Sequence, residues 1–320
     1  MNSLDQPFIS VVIPAYNAAG TIREALASVE VQGRADLEVI VVDDASRDET
    51  PRILRDEVAG RAGYIVLPLA RNGGPAGARN AGVARARGTW IAFLDGDDAW
   101  MPGRMALQLA LAGKHPDVAL WCGGTVPLMP NVSVPAVIAP PTMRDLPLKE
   151  FVYHNAVATS TVLVRRAALA AVGGFDEQFV GPEDYDLWMR LARAHRLVRI
   201  EQPLSRYRLV PGSLSMDDRK FLPQVLRVLE KGFRAGGALA EFAGLREASV
   251  ATQYWNASWM GFNRGARGLA LRYWWRAYRM DHSSEVGAAR PWGRLLLRYL
   301  AGRREFAGAD GSAGMEGGVP

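Results

Sequence analysis

Phe8-Ile-Ser-Val-Val-Ile-Pro14 is a short, β-branched apolar run closed by proline, and it reads as a strand buried on both faces. Thr21–Gln32 follows it, with Ile22, Ala25, Leu26 and Val29 at helical spacing. The two periods then alternate. Leu37–Val42 reads as a second buried strand, Asp48–Ala59 as a second helix and Tyr64–Leu69 as a third strand. Pro75–Arg85 reads as a helix opened by proline, and Thr89–Leu94 as a fourth strand. This alternation implies right-handed crossovers and an α/β fold, a mostly parallel central sheet with helices on both faces. Such sheets bind ligands beyond the carboxyl ends of their strands.

Further along, Trp100–Pro116 reads as a helix, Ala156–Val164 as a strand and Pro182–His195 as a helix opened by Pro182. Phe221–Gly232, Leu239–Phe262, Gly268–Met280 and Pro291–Arg304 read as successive helices. Ala307–Pro320 holds five glycines and almost no large apolar residue, which predicts a disordered tail. With 49% apolar and 22% charged residues in 320, the chain as a whole is globular in character. Cys122 is the single cysteine, which excludes an intramolecular disulfide and a cysteine-built zinc site. Residues 1–7 lack the basic stretch of a signal peptide. The uncharged run Val118–Met143 is broken by Pro127, Pro130, Pro135, Pro140 and Pro141, so the expectation is a soluble, cytoplasmic protein.

Carboxylates gather where the strands end. Asp43 and Asp44 close the second strand, and Asp44 reads either as a turn or cap residue or as a ligand contact. Leu94-Asp95-Gly96-Asp97-Asp98 closes the fourth. Three carboxylates within four residues repel unless a cation or solvent compensates them, and Gly96 allows a backbone that aims Asp95 and Asp97 at one point. Such oxygen ligands suit Mg²⁺ or Mn²⁺ bridging substrate phosphates. Between the clusters, Arg71-Asn-Gly-Gly-Pro-Ala-Gly-Ala-Arg-Asn-Ala-Gly82 lacks the spacing of the dinucleotide fingerprint. It reads as a glycine loop leading to a tightly packed helix, or as one that also turns Arg79 toward a diphosphate. Glu183-Asp184 opens a helix, where acidic residues complement the dipole by roughly 0.3–1 kcal/mol or present a base to substrate. Trp188 and Leu191 on that helix read as core.

Five strings occur in one order: Ile13-Pro-Ala-Tyr-Asn17, Val41-Val-Asp-Asp-Ala-Ser46, Ala78-Arg-Asn-Ala-Gly82, Phe93-Leu-Asp-Gly-Asp-Asp98, and Gly173-Gly-Phe-Asp176 followed by Glu183-Asp-Tyr-Asp-Leu-Trp188. Together they resemble the inverting glycosyltransferase family 2, whose fold is called GT-A, over about residues 7–215. The resemblance implies a catalytic domain over 1–215, with a nucleotide-binding half 1–116 and an acceptor half 117–215; beyond it, the helical periods and the glycine-rich end read as a helical extension 216–306 and the tail 307–320. It implies that Pro14, Ala15, Tyr16 and Asp44 hold the base and ribose, and that Asp95 meets the ribose. Asp97 is then the metal ligand for Mn²⁺ or Mg²⁺, Arg79 a cation near the nucleotide, and Asp184 the catalytic base. Glu183, His154 and Arg206 stand as secondary residues, with His154 also readable as structural. Arg206-Tyr207-Arg208 falls where family members carry a segment that closes over donor phosphates, or forms a solvated loop.

The implied activity moves a sugar from a nucleotide-diphospho-sugar, UDP-linked, to a hydroxyl on a saccharide or lipid-linked acceptor in bacterial surface-glycan synthesis. The Q-x-x-R-W string of processive synthases is absent, since neither Gln202 nor Gln224 is followed by it, which implies single transfers. Two rival readings compete with this one. A haloacid-dehalogenase-type phosphatase lacks its nucleophile, lysine and second acidic motif here. A catalytically inactive relative acting as a membrane or protein adaptor is opposed by the intact Asp44, Asp95, Asp97 and Asp184. The sequons at Asn131 and Asn256 carry no weight without a signal peptide.

Residues 251–306 hold ten arginines against three acidic residues, a net of +7 that exceeds the +5 of the whole chain. Trp255, Trp259, Phe262, Tyr273, Trp274, Trp275, Tyr278 and Trp292 are interleaved. This pattern reads equally as an anionic-membrane surface or lipid-diphosphate site on the inner face of the cytoplasmic membrane, and as a tryptophan-cored subdomain with a solvated arginine face. No nucleic-acid motif accompanies the charge, so no nucleic-acid partner is expected.

Overall fold

The computed structural model describes residues 8–34, 36–128, 141–209 and 217–280. Strand β1 (Ile9–Ala15) is followed by α1 (Ile22–Glu30), β2 (Leu37–Asp43), α2 (Thr50–Val58), β3 (Tyr64–Pro68), α3 (Gly74–Arg85) and β4 (Trp90–Phe93). These four strands run parallel in the order β3-β2-β1-β4. Every element expected in the first hundred residues is present, with ends moved by two residues or fewer. Register sets Ala15 opposite Asp43 and Asp43 opposite Pro68, so the carboxyl ends share one edge. Helix α3 lies unusually close to the sheet: a Cβ on Gly82 would stand 2.4 Å from Val12 Cγ1, and only glycine fits.

The second half departs from the sequence reading. Its elements are β5 (Ala99–Trp100), α4 (Arg104–Lys114), β6 (Val118–Pro127), β7 (Met143–Asp145), β8 (Leu163–Arg165), α5 (Arg166–Ala171), α6 (Glu183–Ala194) and β9 (Arg196–Tyr207). β8 pairs antiparallel with β4 and β6, β6 and β9 run parallel, and β5 and β7 pair antiparallel with β9. The expected helix over Trp100–Pro116 starts only at Arg104, because Ala99 and Trp100 pair with β9. The strands β6 and β9 were not expected. Glycines and prolines mask the first, and the second mixes charged residues with a Gln202-Pro203 step where the register slips. The strand expected over Ala156–Val164 is instead a one-turn 3₁₀ helix, Thr159–Thr161, ahead of the short β8. Its β-branched residues favour a strand, but side chains from α4 and the loop after β4 hold the turn closed, so tertiary contact overrides propensity.

Trp188 and Leu191 are fully buried, and Trp188 packs with Phe93 and Phe175 at centroid distances of 6.0–6.4 Å. The chain divides into two compact units between Ala243 and Gly244. The first therefore runs past the 215/216 boundary read from sequence and takes in α7 (Asp218–Phe233), whose Lys231 pairs with Asp186 of α6 at 2.8 Å. In the second unit, α8 (Arg246–Asn263) and α9 (Arg267–Met280) pack through Tyr254–Tyr273 and Trp255–Trp274. The expected helix Pro291–Arg304, the tail 307–320 and residues 129–140 of the proline-rich stretch lie outside the described residues. Among the described residues, no helix is long and apolar enough to cross a membrane.

Candidate functional site

Two loops at the carboxyl edge of the sheet are tied together. The Asp44 amide donates to the Ala15 carbonyl at 2.8 Å, the Asn17 amide to Ser46 Oγ at 3.0 Å, and the Arg47 amide to Asn17 Oδ1 at 2.9 Å. Asn17 and Ala45 take left-handed backbone angles, φ 49° and 58°. For a non-glycine residue that conformation costs on the order of 1 kcal/mol and persists where surrounding contacts demand it. Asp44 is buried and its Oδ1 accepts from the Gly73 amide at 2.7 Å. Pro14 is half-buried, Ala15 buried and Tyr16 48% exposed, so Tyr16 alone of the three stands out from the edge.

The loop after β4 is drawn against the same edge. A Cβ on Gly96 would lie 2.9 Å from the Pro14 carbonyl oxygen, so glycine is needed there for clearance rather than for a left-handed backbone. Asp98 Oδ2 accepts from Ser160 Oγ at 2.6 Å and Asp98 Oδ1 from the Arg208 amide at 3.0 Å. Burial, reinforced by the charge of Asp95, pushes Asp97 up to about 6 and Asp98 up to about 7.

Arg79 rises from α3 into this cluster. It is 5% exposed, and its two terminal nitrogens donate to Asp95 Oδ1 at 2.6 Å and Glu183 Oε1 at 2.7 Å. Burial opposes its charge, but the two carboxylates outweigh that and hold it above the usual arginine range. Sequence reading offered Arg79 as a cation turned toward a diphosphate; here both terminal nitrogens are committed to protein carboxylates.

Glu183 and Asp184 divide the first turn of α6. Glu183 is buried, with Oε2 accepting from the Gly181 amide at 2.7 Å. Asp184 is half-buried; Oδ1 accepts from the Tyr185 amide at 2.7 Å, and Oδ2 from Asn155 Nδ2 and Thr159 Oγ1, both at 3.0 Å. Burial raises the Asp184 carboxyl above its ordinary value, and Arg79, Thr159, Asn155 and the Tyr185 amide recover only part of that rise. Such a carboxylate is a better proton acceptor than a solvated one.

Among the described residues, no three His, Cys, Asp or Glu side chains converge to hold a metal by themselves. Mg²⁺ and Mn²⁺ do not require that, because one or two carboxylates with diphosphate oxygens and water complete their shell. Asp97, half-buried and already disfavoured as an anion by burial and Asp95, is a carboxylate that a divalent cation would relieve, and the donor set fits such a site.

His154 is exposed, and its neighbour Asn155 is the residue that reaches Asp184. Arg206 lies 3.6 Å from Glu24 Oε1, whereas Arg208 touches the acidic loop, donating from Nε to the Asp97 carbonyl at 2.9 Å. Sequence reading did not single out Asn155, Thr159 or Ser160. The available signal was three consecutive hydroxyl residues, Thr159-Ser160-Thr161, flanked by apolar residues in a run read as a strand, where any hydroxyl that becomes buried needs a partner.

The chain matches the model of glycosyl transferase family 2 over residues 10–169 and that of glycosyltransferase-like family 2 over 142–238. It is 29% identical to the UDP-Glc:alpha-D-GlcNAc-diphosphoundecaprenol beta-1,3-glucosyltransferase WfgD of Escherichia coli, across 71% of this chain and 87% of that one. Among solved structures, S. aureus TarS 1–349 in complex with UDP-GlcNAc superposes with a TM-score of 0.64 at 22% identity, covering 84% of this chain and 79% of that one. The mannosyltransferase PcManGT from Pyrobaculum calidifontis, in complex with GDP-Man and Mn²⁺, gives 0.61 at 19% identity, covering 92% and 81%. These likenesses establish the fold, the α/β GT-A arrangement with added C-terminal helices.

Proposed function

The chain belongs to glycosyl transferase family 2, and on that premise we propose that it is a non-processive, inverting, divalent-metal-dependent transferase acting on a UDP-linked sugar. Its acceptor is a hydroxyl of a saccharide or lipid-linked glycan in bacterial surface-polysaccharide assembly, a reading supported by the lipid-diphosphate acceptor in the name of the relative WfgD. The observation that carries the proposal is the Arg79 bridge, in which one buried guanidinium joins the loop after β4 to the start of α6. Two carboxylate motifs more than eighty residues apart in sequence thereby share one side chain.

In this mechanism, Tyr16 and the buried Asp44 bind the nucleoside, and Asp95 meets the ribose while its other contact to Arg79 holds it in place. Asp97 would hold a Mg²⁺ or Mn²⁺ ion, which when bound would offset the charge growing on the departing diphosphate. Asp184 takes the proton from the acceptor hydroxyl as that oxygen bonds to the anomeric carbon from the face opposite the diphosphate. The bond to the diphosphate breaks with its electron pair leaving on the phosphate oxygen, so one displacement inverts the configuration. Arg79 and Glu183 act on Asp184 through charge: the guanidinium favours its anion and the neighbouring carboxylate opposes it.

Calorimetric titration with UDP, GDP, dTDP and CMP, each with and without Mn²⁺, tests the donor side. UDP is expected to bind in a metal-dependent way, and Asp97→Ala to weaken that binding at least about tenfold, the equivalent of ~1.4 kcal/mol. Absence of binding by every nucleotide would favour an inactive adaptor instead.

The second unit supports peripheral membrane contact. Leu271, Trp275 and Tyr278 of α9 are exposed, as are Arg267, Arg272, Arg276 and Arg279, and that helix carries no acidic residue. Trp255 is buried beside Trp274, so the tryptophan core is also present. An exposed basic, aromatic face suits anionic headgroups. Sedimentation with phosphatidylglycerol vesicles at low salt is expected to carry the protein down, and Trp275→Ala with Arg276→Ala to reduce the bound fraction. No sedimentation of the unaltered chain would end this part of the proposal.

A further inference from the structure

The 3₁₀ turn Thr159–Thr161 is gripped from opposite sides. On one side, the fully buried Arg104 donates to the carbonyls of Ser160, Thr161 and Val162, the last two at 3.1 and 3.2 Å, and lies over the Trp100 ring at 4.2 Å. Gln108, one turn along α4, adds a bond to the Thr161 carbonyl at 2.9 Å, and Trp100 Nε1 adds one to the Ser160 carbonyl at 2.9 Å. On the other side, the hydroxyls face the site. Ser160 Oγ donates to Asp98 and accepts from the Asp95 amide at 3.1 Å, and Thr159 Oγ1 donates to Asp184 Oδ2.

Among the described residues, no carboxylate pairs with Arg104, and burial pulls its guanidinium down to about 9, still charged at neutral pH. A buried cation without a counter-ion is costly, and an apolar side chain would fill the same space more cheaply. What the guanidinium supplies and an apolar residue does not is a planar set of donors that fixes three successive carbonyls in one orientation. That fixes the hydroxyls on the far side of the same turn. Ser160 is 62 residues from Asp98 and Thr159 is 25 from Asp184, so no local chain geometry could set these distances.

We infer that the Thr159-Ser160 turn, anchored by Arg104, is a positioning element that holds the acidic loop and Asp184 in mutual register. Thr159 acts on the proton-transfer side and Ser160 on the donor side. The inference rests on the reading of Asp184 as base. The charged groups acting on Asp184 are Arg79 from α3 and Glu183 beside it; Asn155 and Thr159 touch it as neutral donors. Removing a donor to a carboxylate favours its protonated form, so losing the Thr159 hydroxyl must raise the pH at which the base titrates.

The test is steady-state hydrolysis, read as nucleoside diphosphate released from a panel of UDP-, GDP- and dTDP-sugars across pH 4–9. Thr159→Val, which keeps the side-chain shape, is expected to lower kcat about tenfold, leave donor KM within about twofold and move the acid limb upward in pH. Thr159→Ser is expected to restore both. Ser160→Ala is expected to raise donor KM without moving the acid limb. Normal kcat and an unmoved limb in Thr159→Val, with Asp184→Asn inactive, would overturn the inference while leaving the base in place. Full turnover in Asp184→Asn would instead remove the base on which it rests. Should Thr159→Val fail to fold, Thr159→Ala carries the same comparison, and a profile in Thr159→Ala identical to the unaltered protein would overturn the inference equally.

Discussion

At the amino edge of the sheet, Glu38 is 1% exposed and accepts from Ser10 Oγ and the Arg87 amide, both at 2.5 Å, from the Gly88 amide at 3.3 Å and from Arg87 Nε at 3.1 Å. Burial alone would raise that carboxyl, but these donors outweigh it and hold it below the usual glutamate value. At the carboxyl edge, Asp184 and Glu183 are also withdrawn from water, yet each stands above its usual value because the donors and Arg79 fall short of the cost of burial. The same sheet thus satisfies one carboxylate completely and leaves others partly unsatisfied. A satisfied buried carboxylate is a fastener. One whose charge is still disfavoured is prepared to take a proton, or to gain from a cation brought by a ligand.

Substitution at each edge separates the two roles. Asp184→Asn keeps the shape and should cut transfer by about 10²–10⁴-fold while sparing nucleotide binding and thermal stability. Turnover within a fewfold of normal would place the base elsewhere. Glu38→Gln at the other edge should cost about 1–3 kcal/mol of stability, since it faces backbone amides with a group that is half donor, and should leave nucleotide affinity unchanged. Equal stability by chemical denaturation would mean that the amino-edge cluster fastens nothing.

Acid should then draw the smallest and most graded contrast. The folded pKa of Glu38 is depressed, so its contribution is present above the unfolded value near 4.5 and is lost as pH falls below that through the folded value. The folded pKa of Asp184 is raised, so its protonation begins at higher pH and favours the folded state. Activity should therefore fall on acidification before the chain loses the stability that Glu38 provides. Parallel pH profiles of donor hydrolysis and melting temperature check this, and loss of both together would erase the distinction between the edges.

Most of the first hundred residues were legible because β1, β2 and β4 are almost wholly buried and α1 and α2 turn an apolar stripe inward, so local pattern and final packing agree; β3 is only half-buried, and α3 was marked by its opening proline rather than by a stripe. The later strands were not. β6 and β9 hold their places through pairing with one another, and the glycines and charges along them carry no period that betrays it. The 159–161 turn is the sharpest failure: Thr159-Ser160-Thr161-Val162 looks like a strand locally and becomes a turn only because Arg104, Trp100 and Asp98 converge on it. The Arg206–Arg208 pair shows the same limit on a smaller scale, since spacing alone did not say which arginine meets the acidic loop.

Sequence by itself determined the α/β class, the family and the carboxylate types gathered at the strand ends, because those depend on short-range periodicity and on residue chemistry that survives without coordinates. Tertiary structure decided which of those residues share a charge. Arg79 became the bridge between Asp95 and Glu183, and Asp184 rather than Glu183 became the half-buried member of its pair. Those outcomes turn on ångström-scale distances between segments far apart in the chain. Hydrogen bonds and ion pairs fall off too steeply for any local pattern to encode them.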